Sequence, residues 1–177
     1  MNKANTMDIE LAIMNYFNHR YDVMVPNVSN QMGLVPFEVD MLVLRKSDLA
    51  YGFEIKTSKA DLRADFNKPQ HTQIEKTGLG RWFGKFKYFY YAVPEDLKQL
   101  ALDLIPEFCG LAVFDKKEYP EHSRFYIERQ PKSLFNYHWS LKQRYELARL
   151  GTMRIKALKQ TIIGNQITIS YLKNTKP

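Results

Sequence analysis

Apolar residues recur at helical spacing at the start of the chain. Ile9, Ile13, Met14 and Phe17 share one face, and Asn5 and Thr6 ahead of them are N-cap types, so the fold opens with a helix of about three turns. The pattern then changes to β-prone runs. Tyr21 to Val28, Phe37 to Leu44 and Tyr51 to Thr57 read as strands, with a polar turn from Arg45 to Ala50 between the second and third. Ser58 opens a second helix in a capping-box-like Ser58…Asp61 pattern, and Pro69 is expected to end it. A long segment from Lys68 to Lys87 follows. Beyond it come a dense aromatic strand, Tyr88 to Val93, closed by Pro94, a helix near Glu95 to Leu104, and strands at Leu111 to Phe114 and Arg124 to Arg129. Trp139 to about Ile162 reads as helical with a break at Gly151, docked by Leu141, Tyr145, Leu150, Ile155 and Leu158; the last dozen residues are expected to fray. This order describes an α/β sandwich around one mixed sheet.

Alternation along the central hairpin carries the chemistry. Side chains of a strand point to alternate faces, so Glu54 and Lys56 share one face while Phe53 and Ile55 take the other. Pairing about a turn centred near residue 48 puts Asp40 opposite Lys56 and Leu42 opposite Glu54, which gathers Asp40, Glu54 and Lys56 on one face. Two carboxylates on otherwise apolar neighbouring strands repel each other and are costly to desolvate. A hard divalent cation relieves that cost, and Mg²⁺ takes one or two carboxylates while keeping several waters. The plainer alternative is an Asp40–Lys56 ion pair on a solvated sheet face.

Charge adds a direction. The 177 residues carry 26 basic and 19 acidic side chains, a net +7. From Pro131 onward there are nine Lys or Arg and one acid, Glu146, so the C-terminal third holds +8 and the first 130 residues −1. A polyanion is the economical partner of such a chain, and nucleic acid is the commonest one. Arg144, Arg149 and Arg154 lie on the C-terminal helix. Arg81, Lys85 and Lys87 interleave with Trp82 and Phe83 in the long segment, as a strand-gripping loop requires, although Trp82 and Phe83 could equally be core residues. One cysteine, Cys109, excludes an intrachain disulfide, and with four scattered histidines it excludes a Cys/His zinc cluster. Asp8 and Glu10 stand where a signal peptide needs an apolar core, and no apolar run is long enough for a membrane span, so a cytoplasmic location is expected.

At these residues the sequence resembles the PD-(D/E)XK nuclease superfamily. The match is Asp40, then Glu54-Ile55-Lys56, extended through Thr57-Ser58-Lys59-Ala60-Asp61 to Asp65 in the manner of small phage-type and MmcB-like members. It continues in Tyr88-Phe89-Tyr90-Tyr91-Ala92-Val93-Pro94 and in Gly110-Leu111-Ala112-Val113. Val39 stands where the nominal motif has proline. The resemblance implies a restriction-endonuclease-like αβββαβ core within residues 1–130, its mixed sheet flanked by helices, and a basic helical extension, 131–177, packed on the same domain. It implies that Asp40, Glu54 and the Ile55 carbonyl bind Mg²⁺ or Mn²⁺, with Lys56 as the catalytic lysine and Glu10 of the first helix as a further acid. The implied activity is hydrolysis of DNA phosphodiester bonds in phage or bacterial DNA processing or repair. The alternative is a non-catalytic nucleic-acid-binding repair-accessory module on the same fold. DNA is the expected partner, a homodimer is allowed for, and no membrane or small-molecule cofactor is expected.

Other residues have modest expected roles. Asp61 is read as a capping residue, and Asp65 is expected to pair with Lys68 or Lys87. His71 is read as loop surface or a proton shuttle, Cys109 as core, and the strand Tyr88 to Tyr91 as core before it is a stacking platform.

Overall fold

Asn5 caps the first helix. Its side chain accepts from the Asp8 N–H at 2.9 Å, while the Asp8 carboxylate accepts from the Asn5 N–H at 2.9 Å, a reciprocal capping box. The structure, a computed structural model, describes residues 3–174, with side chains at 120 and from 170 onward left out.

Helix α1 (Thr6–Tyr16) is followed by strands β1 (Val23–Val28), β2 (Val39–Leu44) and β3 (Ala50–Ile55). Helix α2 (Lys59–Asp65) and three short helices, α3 (Pro69–Thr72), α4 (Ile74–Thr77) and α5 (Leu79–Phe83), lead to β4 (Tyr88–Pro94). Helix α6 (Lys98–Leu104), β5 (Gly110–Asp115), β6 (Arg124–Arg129) and α7 (Leu141–Asn174) complete the order. The six strands form one mixed sheet in chain order. β1, β2 and β3 are an antiparallel meander, β4 and β5 run parallel to β3, and β6 returns antiparallel. The parallel steps need crossovers, which α2 to α5 and then α6 supply.

Each sheet face has its own core. One face packs Met41, Val43, Phe53, Ile55, Tyr90 and Ala92 against Ile9 and Ile13 of α1 and against Phe17, which caps its C-terminal end. The other packs Leu42, Leu44, Phe89, Tyr91 and Leu111 against Leu62, Phe83 and Phe86, and against Leu147 and Leu150 of α7. β3 can lie this close to its neighbours because of Gly52, where a Cβ would meet the Phe89 ring at 2.7 Å.

The expected elements form, with five corrections. Pro69 does not end α2, which stops at Asp65; it occupies the first turn of α3, where its missing N–H is harmless. The long segment to Lys87 is three short helices rather than a loop, and Phe83 is core. α7 runs unbroken through Gly151, where a Cβ would stand 3.3 Å from Val25, so this glycine lets the helix press on β1. Its helical backbone also continues into the residues expected to fray. Of the five side chains expected to dock α7, Leu150 does so, joined by Leu147; Leu141, Tyr145, Ile155 and Leu158 are exposed.

Candidate metal and phosphate site

The β2–β3 hairpin turns tighter than a centre at residue 48 allows. Asp48 adopts the left-handed conformation (φ 62°) and donates its N–H to the Arg45 carbonyl at 3.0 Å. The register is therefore Met41 to Phe53, Leu42 to Gly52 and Val43 to Tyr51. Leu42 faces Gly52, not Glu54, and one further step sets Asp40 opposite Glu54 rather than Lys56. The slip is two residues, so the three side chains keep the same face.

Asp40 Oδ2 accepts the Ile55 N–H at 2.7 Å. The Ile55 side chain is buried on the α1 side, so only its backbone reaches toward the acids. Glu54 and Lys56 are 3% and 5% exposed, and the face they share is covered, not solvated. Lys56 Nζ donates to Glu54 Oε1 at 2.8 Å and lies 3.2 Å from Asp65 Oδ1 and 3.6 Å from Asp61 Oδ1. The Asp40–Lys56 pair of the plain reading is thus replaced by Lys56 with Glu54 and Asp65. Glu54 Oε2 is buried without a hydrogen-bond partner among the described residues.

Helix α2 supplies the other wall. Ser58 Oγ accepts the Asp61 N–H at 3.2 Å, which aims the helix start at the C-terminal end of β3. One turn later Asp65 is buried. Its Oδ2 accepts from Tyr91 Oη at 2.6 Å and stands 3.2 Å from His71 Nε2, while Lys68 forms an ion pair with its Oδ1. Lys68 also donates to Glu54 Oε1 at 2.9 Å. Asp65 therefore pairs with Lys68, as expected, and not with Lys87. His71 is neither surface nor free, because it packs on Phe66 and meets Tyr91 Oη at 2.9 Å. The Lys68 bridge and Tyr91 were not read as site residues. The three-residue spacing from Asp65 to Lys68 was the one available signal, and it says nothing about Glu54.

These contacts set the charge states. Burial, reinforced by the facing Asp40, pushes the Glu54 carboxyl up to about 7. Burial raises Asp40 too, against the Ile55 N–H and the Lys56 charge. Glu10 of α1 is raised by burial and by the charge of Asp40. Burial alone would lower Lys56, but Glu54, Asp65 and Asp61 together hold its ammonium above the ordinary lysine range. Burial would raise Asp65, yet His71, Lys68, Tyr91 and Lys56 hold it far below the carboxylate range.

The expected nucleic-acid contacts lie elsewhere. Lys87, at the opposite end of β4, donates to Ser133 Oγ and Asn136 Oδ1 at 2.7 and 2.6 Å. Lys85 donates to the Gly33 carbonyl at 2.8 Å. Arg144 ties α7 to the hairpin turn through Asp48 Oδ1 (2.7 Å) and the Arg45 carbonyl (2.6 Å). Arg149 pairs with Glu146 at 2.8 Å, and Arg154 donates to the Asn27 carbonyl at 2.6 Å. Arg81 is exposed, its guanidinium 5.5 Å from the Trp82 ring. None of these groups joins the Asp40–Glu54–Lys56 cluster. Among the described residues no three His, Cys, Asp or Glu side chains are grouped closely enough to hold a metal ion by themselves. No helix among them is long and apolar enough to cross a membrane.

The chain is similar in structure to a protein of unknown function from Silicibacter pomeroyi. The TM-score is 0.55 at 16% identity, over 94% of this chain and 96% of the other. That likeness concerns the fold alone. No protein-family model and no curated protein sequence matches the chain.

Proposed function

We propose that the protein is a Mg²⁺- or Mn²⁺-dependent nuclease that hydrolyses DNA phosphodiester bonds on a restriction-endonuclease-like core. The observation that carries this reading is the buried Glu54 Oε2, without a partner among the described residues, on a carboxyl that faces Asp40 beside the Lys56 ammonium. The element order, one helix, an antiparallel three-strand meander, a helical crossover and a parallel strand, agrees with the αβββαβ core that the sequence likeness implies.

The donor set suits a hard cation. Asp40 and Glu54 offer carboxylate oxygens, the Ile55 carbonyl a backbone oxygen, and Glu10 a further acid. Mg²⁺ needs only one or two carboxylates and retains waters, so a group of three side chains is not required. A bound ion would polarise a phosphoryl oxygen and lower the pKa of a coordinated water. Lys56, whose charged form is favoured by Glu54, Asp65 and Asp61, would orient a water or phosphate oxygen by donation and offset negative charge developing on the phosphate. Asp65, Lys68 and Tyr91 position Lys56 and Glu54.

The test is incubation of purified protein with Mg²⁺ or Mn²⁺ and single-stranded, duplex and branched DNA. Cleavage should require the ion and disappear in Asp40→Asn, Glu54→Gln and Lys56→Ala. Cleavage that persists in these variants removes the assignment. A second reading, a DNA-binding module without turnover, has one observation in its favour: Lys56 and Lys68 both neutralise Glu54 Oε1, so the site is partly balanced without an ion. It is supported by divalent-independent DNA binding with no cleavage of any substrate.

A further inference from the structure

Helix α7 leaves the protein. Its early turns lie on β1 through Leu147, Leu150 and Gly151, and the last hydrogen bond among the described residues from this helix to the body is Arg154 to the Asn27 carbonyl. Beyond it the helix continues to Asn174, about 30 Å of helix at 1.5 Å per residue. This free half is a poor helix on its own. Ile155, Thr161, Ile162, Ile163, Gly164, Asn165, Ile167, Thr168 and Ile169 are β-branched or otherwise weak helix formers, so its helicity depends on packing.

The apolar positions identify what packs there. Ile155, Leu158, Ile162, Asn165 and Ile169 are spaced alternately three and four residues apart, a heptad seam with Ile at each a position and Leu158 and Asn165 at d. Its four apolar members are between 46% and 58% exposed. Gly151 falls on the same heptad position as Leu158 and Asn165, so the side of the helix that docks on β1 runs on with its residues exposed among the described residues. From Gln160 to Leu172 the chain has no charged residue, although the molecule as a whole carries +7. Two copies can therefore meet along this stretch without like-charge repulsion. An anionic membrane or a nucleic acid would instead call for Lys and Arg along it.

We infer that residues 155–169 form a dimerisation arm, an antiparallel two-stranded coiled coil with the same segment of a second copy of this chain. The orientation follows from two features. The body of each protein sits on the seam side of its own helix, so a parallel partner would run into it, whereas an antiparallel partner carries its body off the far end. A parallel pair would also set Arg154 against the partner's Lys159, two like charges on flanking positions. In the antiparallel register centred between Ile163 and Gly164, Leu158 meets the second copy's Ile169, and Ile162 meets its Asn165.

Sedimentation equilibrium of the full chain at micromolar concentration tests the arm. The expected mass is twice 20.9 kDa, and Ile162→Lys, at an exposed position, should return it to 20.9 kDa with unchanged melting of the body followed by the buried Trp139. A wild-type monomer overturns the inference, and so does a monomer that floats with anionic phosphatidylserine vesicles. Orientation is read by mild oxidation of Leu158→Cys and Ile169→Cys. Neither variant alone should cross-link, while their mixture should give a covalent dimer. Cross-linking of each variant alone overturns the antiparallel arrangement.

Discussion

The Asp40 carboxylate takes the N–H of Ile55 at 2.7 Å, across the two strands whose register decides the candidate site. This bond fixes one oxygen of Asp40 beside the strand that carries Glu54. It also means that the acid and the backbone proposed to share a metal ion are already coupled before any ion arrives.

Asp40→Asn should therefore separate stability from function. The asparagine oxygen can still accept the Ile55 N–H, and burial already disfavours the charged form of Asp40. The expected change in unfolding free energy is within about 1 kcal/mol. Stabilisation by Mn²⁺ in a thermal melt and metal-dependent cleavage should both be lost. A variant that unfolds, or that keeps the Mn²⁺ shift, contradicts the assignment.

Glu54 gives a pH dependence with an unusual sign for a carboxyl. Its folded pKa, about 7, lies above the ordinary 4.5, so the folded state holds the proton more tightly than the unfolded chain. The associated stability is full below pH 4.5 and is lost as pH rises to about 7, on the order of 3 kcal/mol in all. Urea unfolding in chelator should show this decline, and Glu54→Gln should flatten it. Metal binding requires the proton to leave, so the Mn²⁺-induced rise in melting temperature should grow over the same interval.

Asp65 acts in the opposite direction. Its pKa is depressed, so its contribution is present above the ordinary 3.8 and is lost as pH falls below that value. Asp65→Ala takes from Lys56 one of its two buried carboxylates, leaving Glu54, and leaves the Tyr91 hydroxyl without Asp65 as acceptor; it should destabilise by about 3–5 kcal/mol. Tyr91→Phe removes one hydrogen bond and should cost about 1 kcal/mol. Equal effects of the two in urea titrations would mean that Asp65 does not organise the cluster.

Gly52→Ala tests how tightly β3 is held. The added methyl must displace the Phe89 ring, and overpacking of this kind costs about 1–3 kcal/mol. Phe89→Leu in the same chain should recover part of the loss, measured by guanidinium denaturation. No recovery would mean that strain lies in the strand itself.

Arg144→Ala should weaken the fold and not DNA binding. Its guanidinium is spent on Asp48 and the Arg45 carbonyl, so about 1–3 kcal/mol of stability should go. The dependence of DNA affinity on salt, measured by fluorescence anisotropy, should keep the wild-type slope. A slope reduced by about one unit would mark Arg144 as a phosphate contact after all.

Strand and helix positions were legible because they depend on local pattern. The alternation Glu54-Ile55-Lys56 gave the right face, and it survived a register wrong by two because faces repeat every second residue. The partner of Lys56 was not legible. That depended on Asp48 turning left-handed, which tightened the hairpin, and on α2 folding back to bring Asp65 over the strand. The intramolecular partners of the basic residues were not legible for a related reason. Composition counts charges but not the carbonyls and carboxylates that Lys85, Lys87, Arg144 and Arg154 find once the chain is folded.

The chain by itself determined which residues alternate, which helix carries Asp61 and Asp65, and that acids and a lysine would share one sheet face, since each follows from backbone periodicity over a few residues. Tertiary structure alone decided which acids the lysine serves, which oxygen of Glu54 is left without a partner among the described residues, and which cations are already engaged. Those outcomes depend on distances between segments far apart in sequence, and burial there raises the cost of every unpaired charge.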